Sequence, residues 1–340
     1  MRVGIDARKI ADYGIGTYIR GLLRGIVDLR RADLEVVAFA PRNAPVPEGI
    51  EHIELDAPHY SIREPFLVGR AAKRAGLDVF HAPHYVTPVT SIPLVVTIHD
   101  LIHLHQPMRN PIAPLYAKTM IRRAIKNASR VLTVSHAVEQ DLIKFGCDPQ
   151  KIIVTYNGVE QQTANRQLPT ANRYLFIGND KPHKNVETLV AAFALVRREL
   201  ADATLTLAGA TFERFAHIDG VDARGFVSDD ELARLYRTSL ALVLPSHEEG
   251  FGLPAAEAMA HGCAVITSNA AALVEITGDA ALHADARDAR SLADAMLRIA
   301  RDASLREQLA ARGIVRARDF SWLRCAEKTA DAWNIVERRI

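Results

Sequence analysis

A chain of 340 residues has room for roughly two domains, each with its own core. About half of its residues are hydrophobic (49%) and a quarter charged (24%), an ordinary globular make-up, and a net charge of +2 offers no whole-molecule field for capturing nucleic acid. Cys147, Cys263 and Cys325 are widely separated and form no pair or metal motif, which makes a reducing cytoplasm the simplest compartment. No apolar stretch approaches the roughly 20 residues of a membrane span, and Met1-Arg-Val-Gly-Ile-Asp-Ala-Arg8 reads as a strand and not a signal peptide, so membrane contact would be peripheral.

Val3–Ala7 is a short strand, followed by a glycine turn, Asp12–Tyr18. The next helix places Tyr18, Ile19, Leu22, Leu23, Ile26 and Val27 on one buried stripe. As a dinucleotide fingerprint Gly14-Ile-Gly16 lacks the third glycine and its spacing. Strands are expected at Glu35–Ala40, Ile50–Leu55, Asp78–His81, Leu94–His99, Arg130–Ser135 and Ile152–Tyr156. Helices over Glu64–Ala75, Pro114–Ala128 and Ala137–Phe145 alternate with several of them, which implies an α/β, doubly wound parallel sheet whose ligands collect at the carboxyl ends of the strands. His81, His84, His99, His103 and His105 crowd this half, but their spacings match no zinc motif. Residues 114–130 combine Lys118, Arg122, Arg123, Lys126 and Arg130 with apolar positions, a pattern that suits either a solvated helix face or contact with an anionic membrane surface.

A polar stretch with Pro169, residues 161–173, reads as a linker between a domain spanning 1–160 and a second spanning 174–321. The second half restarts the alternation. Strands are expected at Tyr174–Gly178, Thr204–Ala208, Ala223–Val227, Ser239–Pro245, Ala264–Thr267 and Ala281–Ala284, and helices at Asn185–Leu200, Asp229–Arg237, Pro254–His261 and near Ala270–Ile276. Amphipathic helices follow over Ser291–Arg318 and Trp322–Val336, with Trp322 and Trp333 as packing anchors. Lys181 and Lys184 precede a helix start and suit a phosphate contact.

The densest chemistry lies in His247–Gly262. A buried strand feeds a turn relieved by Gly250 and Gly252, then a helix opened by Pro254. Such a helix start, with its backbone N–H groups and positive dipole end, binds phosphate. Glu249 and Glu257, seven residues apart in between, frame it; carboxylates beside a phosphate need other partners, and sugar hydroxyls supply them. A nucleotide sugar has this layout.

The string Ser246-His-Glu-Glu-Gly-Phe-Gly-Leu-Pro-Ala-Ala-Glu-Ala-Met-Ala-His-Gly-Cys263 resembles the signature of the retaining glycosyltransferases of family 4. The resemblance runs through most of the chain and implies a GT-B fold: two facing Rossmann-like domains with a cleft between them, the helix at 322–340 crossing back onto the N-terminal, acceptor-side domain. It implies that Glu249 meets the donor sugar and Glu257 the ribose, while Gly250, Phe251, Gly252 and Leu253 cradle the diphosphate. Gly14-Ile-Gly16-x-Tyr resembles the family's N-terminal glycine loop, with Gly16 nearest the donor. Thr-Ile-His99-Asp resembles the strand-end motif whose His reaches the reacting centre, and Lys184 falls on the diphosphate lysine. Asn179 stands where many relatives carry an Arg, which leaves Lys181 as the alternative cation; Phe226 and Val227 fall on the segment that edges the base. The stretch 209–222 is shorter than is usual in the family, so the helix expected there is absent.

The resemblance further implies retention, hence an α-glycoside, with neither cofactor nor metal, because helix N-termini and Lys184 take the place of a cation. Overall similarity to bacterial mannosyltransferases of surface-polysaccharide synthesis points to GDP-mannose as donor, with UDP-glucose the alternative, and to a saccharide or polyprenyl-linked acceptor at the inner membrane face. Three other classes stand against this reading. A nucleotide-sugar epimerase or phosphorylase shares the architecture, and so does a non-catalytic nucleotide-sugar-binding protein. A Rossmann oxidoreductase is disfavoured by the missing third glycine.

Overall fold

The computed structural model describes residues 1–59, 61, 63–105, 113–161, 171–209 and 211–337. The chain divides into two compact units, Met1–Gly158 with Ser321–Ile340, and Val159–Phe320. Most of the expected linker, residues 162–170, lies outside the described residues.

The first unit runs β1 (Arg2–Asp6), α1 (Ile15–Leu29), β2 (Glu35–Ala40), β3 (Glu51–Glu54), α2 (Glu64–Arg74), β4 (Val79–Ala82), β5 (Leu94–Ile98), α3 (Ile102–His105), α4 (Ala113–Asn127), β6 (Arg130–Thr133), α5 (His136–Lys144) and β7 (Ile152–Val154). Its seven strands are all parallel in the order β3-β2-β1-β4-β5-β6-β7. The two-residue period of a strand sorts the core into two layers. In β2, Val36, Ala38 and Ala40 pack on the α1 side, and Val37 and Phe39 pack with Val68, Ala72 and Ile121 on the other. Helices thus cover both faces, as a parallel sheet requires.

The second unit runs β8 (Arg173–Gly178), α6 (Val186–Glu199), β9 (Thr204–Gly209), β10 (Val221–Ala223), α7 (Asp229–Thr238), β11 (Ala241–Leu244), α8 (Leu253–Ala260), β12 (Ala264–Ser268), α9 (Ala271–Thr277), β13 (Ala281–Ala284), α10 (Ala289–Arg301) and α11 (Ala303–Ala317). Its six strands are parallel in the order β10-β9-β8-β11-β12-β13. The chain then returns to the first unit as α12 (Trp322–Glu337), where Trp333 is buried in the core beside His81. Gly21 and Gly25 make the seat for α12: a Cβ at either would collide with Trp322.

Several expectations need correction. The stretch Ala223–Val227 is not a strand; pairing with β9 occupies Val221–Ala223, and the chain leaves the sheet after Gly225 accepts a bond from Gly209 N–H (3.0 Å). Val27 sits on the α1 stripe yet is exposed, at its outer edge. Helix α1 starts at Ile15, so Gly16 is its second residue and not part of the preceding turn. Arg130 is on β6 and buried, not on the basic helix. Gly250 does not take a positive φ, and Gly252 alone relieves that turn, at φ 89°.

Candidate active site

In an open parallel sheet, ligands collect at the strand ends where the order reverses. In the second unit that point lies between β8 and β11, and the loops after these two strands carry the expected donor residues. After β8 the chain makes a short 3₁₀ turn, Pro182–Lys184, before Asn185 starts α6. Asn185 holds a left-handed backbone (φ 58°), a conformation Asn tolerates better than most residues. Its buried amide donates to the carbonyls of Pro245 (3.0 Å) and Ala286 (2.7 Å), and its Oδ1 accepts from Thr188 Oγ1 (2.6 Å). The His247 N–H donates to the His183 carbonyl (2.7 Å). These bonds stitch the two loops side by side.

The consequence is an ion pair. Lys184 Nζ lies 2.6 Å from Glu249 Oε1, with side chains only 13% and 8% exposed, and the same oxygen accepts from Ser246 Oγ (2.7 Å). Gly252 then starts α8, where no side chain caps the helix and Pro254 occupies the first turn. A Cβ on Gly252 would meet Leu273 at 2.5 Å, so both space and φ demand glycine there. The Phe251 ring is buried on Phe320 (5.4 Å, edge-on). One turn into α8, Glu257 is half-buried and accepts from the Tyr236 hydroxyl at Oε2 (2.9 Å). Burial pushes its carboxyl up to about 7; the Tyr236 bond opposes that rise and the charge of Asp229 adds to it.

Other expected contacts are placed differently. Asn179 Oδ1 accepts from the Lys181 N–H (3.3 Å), so the amide folds onto its own loop, and Lys181 is exposed. Asp180 and Glu187 instead hold Arg214 (2.7 and 2.6 Å). Phe226 is 74% exposed and Val227 less so, both in the loop before α7.

Gly14, Gly16 and His99 belong to the first unit. Gly14 has φ 63° with open space around it, whereas a Cβ on Gly16 would meet the Ile10 carbonyl at 2.6 Å. His99 follows β5, donates from Nε2 to the Pro83 carbonyl (3.0 Å) and lies edge-on to Tyr18 (4.7 Å). Burial, partly offset by Asp100, holds its pKa down at about 4, so the ring is neutral near pH 7. The other histidines go separate ways: His81 to Thr97 (2.7 Å), His84 toward Asp6 (3.4 Å), His103 beside Tyr85; the His105 side chain lies outside the described residues. Among the described residues no group of three or more His, Cys, Asp or Glu could hold a metal ion.

Nothing in the sequence pattern marks the roles of Ser246, Asn185 and Tyr236, nor a buried network at the switch point of the first sheet. There Arg8 donates to both oxygens of Asp6 (2.8 and 2.6 Å), to Glu64 (2.8 Å) and to the Ala57 carbonyl (3.1 Å). Asp6 ends β1 and Arg8 lies two residues beyond it, in the turn that follows. On α4, Lys118, Arg122 and Lys126 are exposed while Ile121 and Ile125 face the core. No helix among the described residues is long and apolar enough to cross a membrane.

Two all-parallel Rossmann-like sheets, one in each unit, are the architecture of the GT-B class. Residues 13–163 match the family described as Glycosyltransferase Family 4, and residues 171–302 match Glycosyl transferases group 1. O-antigen chain mannosyltransferase B of Escherichia coli is 30% identical over 283 residues, covering 76% of this chain and 74% of its own. An O-antigen chain mannosyltransferase of Salmonella typhimurium is 29% identical over 224 residues, 62% of either chain. A solved sucrose-phosphate synthase from Thermosynechococcus elongatus superposes over 100% of both chains with a TM-score of 0.80 at 21% identity, a likeness of fold. The chain belongs to glycosyltransferase family 4.

Proposed function

We propose that this glycosyltransferase moves a hexose, with retention, from a nucleotide sugar to a saccharide or polyprenyl-linked saccharide. GDP-mannose is the favoured donor, because two relatives bear the name O-antigen chain mannosyltransferase, with UDP-glucose the alternative. The observation that carries the proposal is the Lys184–Glu249 pair beside the uncapped start of α8. A cation, a helix dipole and a carboxylate there match a diphosphate with a polyol on one side of it. Glu257 supplies a second carboxylate for the ribose on the other side.

In the proposed step the acceptor hydroxyl attacks the anomeric carbon on the face from which the diphosphate leaves. The new C–O bond forms as the old one breaks, and the hydroxyl proton passes to the departing phosphate oxygen. Lys184 and the backbone N–H groups of Gly250–Leu253 offset the charge that develops on that oxygen, in a role a metal ion fills elsewhere. Glu249 exchanges Lys184 for the sugar hydroxyls. His99, neutral, and Gly16 enter by the family resemblance, His99 at the anomeric centre and Gly16 at the diphosphate. The exposed face of α4 is proposed as the contact with an anionic membrane surface.

Calorimetric titration without divalent metal, against GDP-mannose, UDP-glucose, UDP-N-acetylglucosamine and NADH, tests the donor site. Selective binding of one nucleotide sugar, weakened in Glu257→Ala, is expected. Binding of NADH alone, or of nothing, overturns the proposal.

A further inference from the structure

We propose that Tyr236 is a positioning residue for donor binding: its hydroxyl holds Oε2 of Glu257 and leaves Oε1 as the acceptor for a ribose hydroxyl. The inference rests on the assignment of Glu257 to the ribose.

Tyr236 sits near the end of α7 and is 1% exposed, 21 residues from its partner in sequence. Its ring stacks on His261 (5.1 Å, 30° between planes), and His261 Nδ1 in turn donates to the Glu257 carbonyl (2.8 Å). The phenol is therefore fixed by packing on the C-terminal cap of the same helix that carries Glu257. Among the described residues no other group bonds the carboxylate, so one oxygen is held and the other is open. A carboxylate with one oxygen fixed keeps the second in a single orientation, which reduces the ordering needed when a ligand arrives.

The same bond acts on the charge, against burial. A phenol O–H bonds the ionised carboxylate more strongly than the neutral acid, so it counters the burial that raises Glu257 toward neutrality. On α7, Tyr236 and Asp229 face this group; His261 caps its own helix and is itself held below its usual pKa by burial. Strands β11 and β12 contribute no charge, and the charged residues of the neighbouring α9 and α11 are Glu275, Arg306, Glu307, Arg312 and Arg316.

The test compares wild type, Tyr236→Phe and Glu257→Gln. A ¹³C carboxyl titration of the unliganded protein, with the Glu257 signal identified by its loss in Glu257→Gln, reads the group directly. Affinity for GDP and for UDP is then followed from pH 6 to 9. In Tyr236→Phe the Glu257 midpoint is expected to rise by about one pH unit, making nucleotide binding about fivefold weaker at pH 7 and nearly unchanged near pH 9. Equal weakening at every pH, or an unmoved carboxyl midpoint, assigns Tyr236 to packing alone and overturns the inference. If Glu257→Gln binds like wild type, or if wild type binds neither nucleotide, the ribose assignment falls and takes the inference with it. In those cases a shifted carboxyl midpoint would still show the bond but not its use.

Discussion

Lys184 and Glu249 are each other's counter-ion, and both are largely withdrawn from solvent. Removing one partner of such a pair leaves the other desolvated and unbalanced, which costs more than the pair itself contributes. Lys184→Ala is therefore expected to lower stability by about 1–3 kcal/mol and kcat by about 10²–10³-fold, the second through loss of the charge proposed to meet the leaving diphosphate. The double variant Lys184→Met/Glu249→Gln should recover most of the stability and none of the transfer. Denaturant melts alongside initial rates separate the two effects; a double variant as unstable as the single one would remove the ion pair from this account.

At the scale of elements, Gly252 and Asn185 set the geometry on which those side chains depend. Gly252→Ala forces a left-handed alanine and drives its Cβ against Leu273, so a loss of about 1–3 kcal/mol is expected. Gly250→Ala, in a backbone without positive φ, should lose less. Urea midpoints of the two variants check the ordering. This turn was legible in the sequence because Gly, Pro and apolar runs act locally; so were the parallel sheets, through regular alternation of strand and helix. Strand β10 was not, since three residues held by β9 on one edge leave too short a pattern. The same limit hid Tyr236–Glu257, 21 residues apart, and Arg8–Glu64, 56 apart. Such pairs meet only through the stacking of whole βα units, and neither partner has a neighbour in sequence that announces the other.

At the scale of the molecule, the two units differ in what acid does to them. In the first, burial holds His81 at about 3 and His99 at about 4, both below the unfolded value. The unfolded chain then binds more protons, so stability present above about pH 6.5 is lost as pH falls through the window below it. In the second, Glu257 is raised to about 7 and binds its proton first in the folded state, which adds stability as pH falls from 7 toward the ordinary carboxylate range. His261 and His283, lowered by burial, work against it there. Calorimetric scans between pH 7 and 4.5 should show the first unit's transition moving down the more steeply; parallel movement of both would contradict this assignment.

Helix α12 gives the first unit a history as well as a shape. Residues 1–158 carry a sheet and an α1 face, with Gly21 and Gly25 open, that is covered only when residues 322–337 arrive. During synthesis the ribosome must first produce all of residues 159–320, a unit complete in itself. At roughly 5–20 residues per second the nascent α1 face waits about 10–40 s for its cover. The second unit can finish folding within that interval, so the half of the protein made first is the half completed last, its apolar α1 face exposed until then.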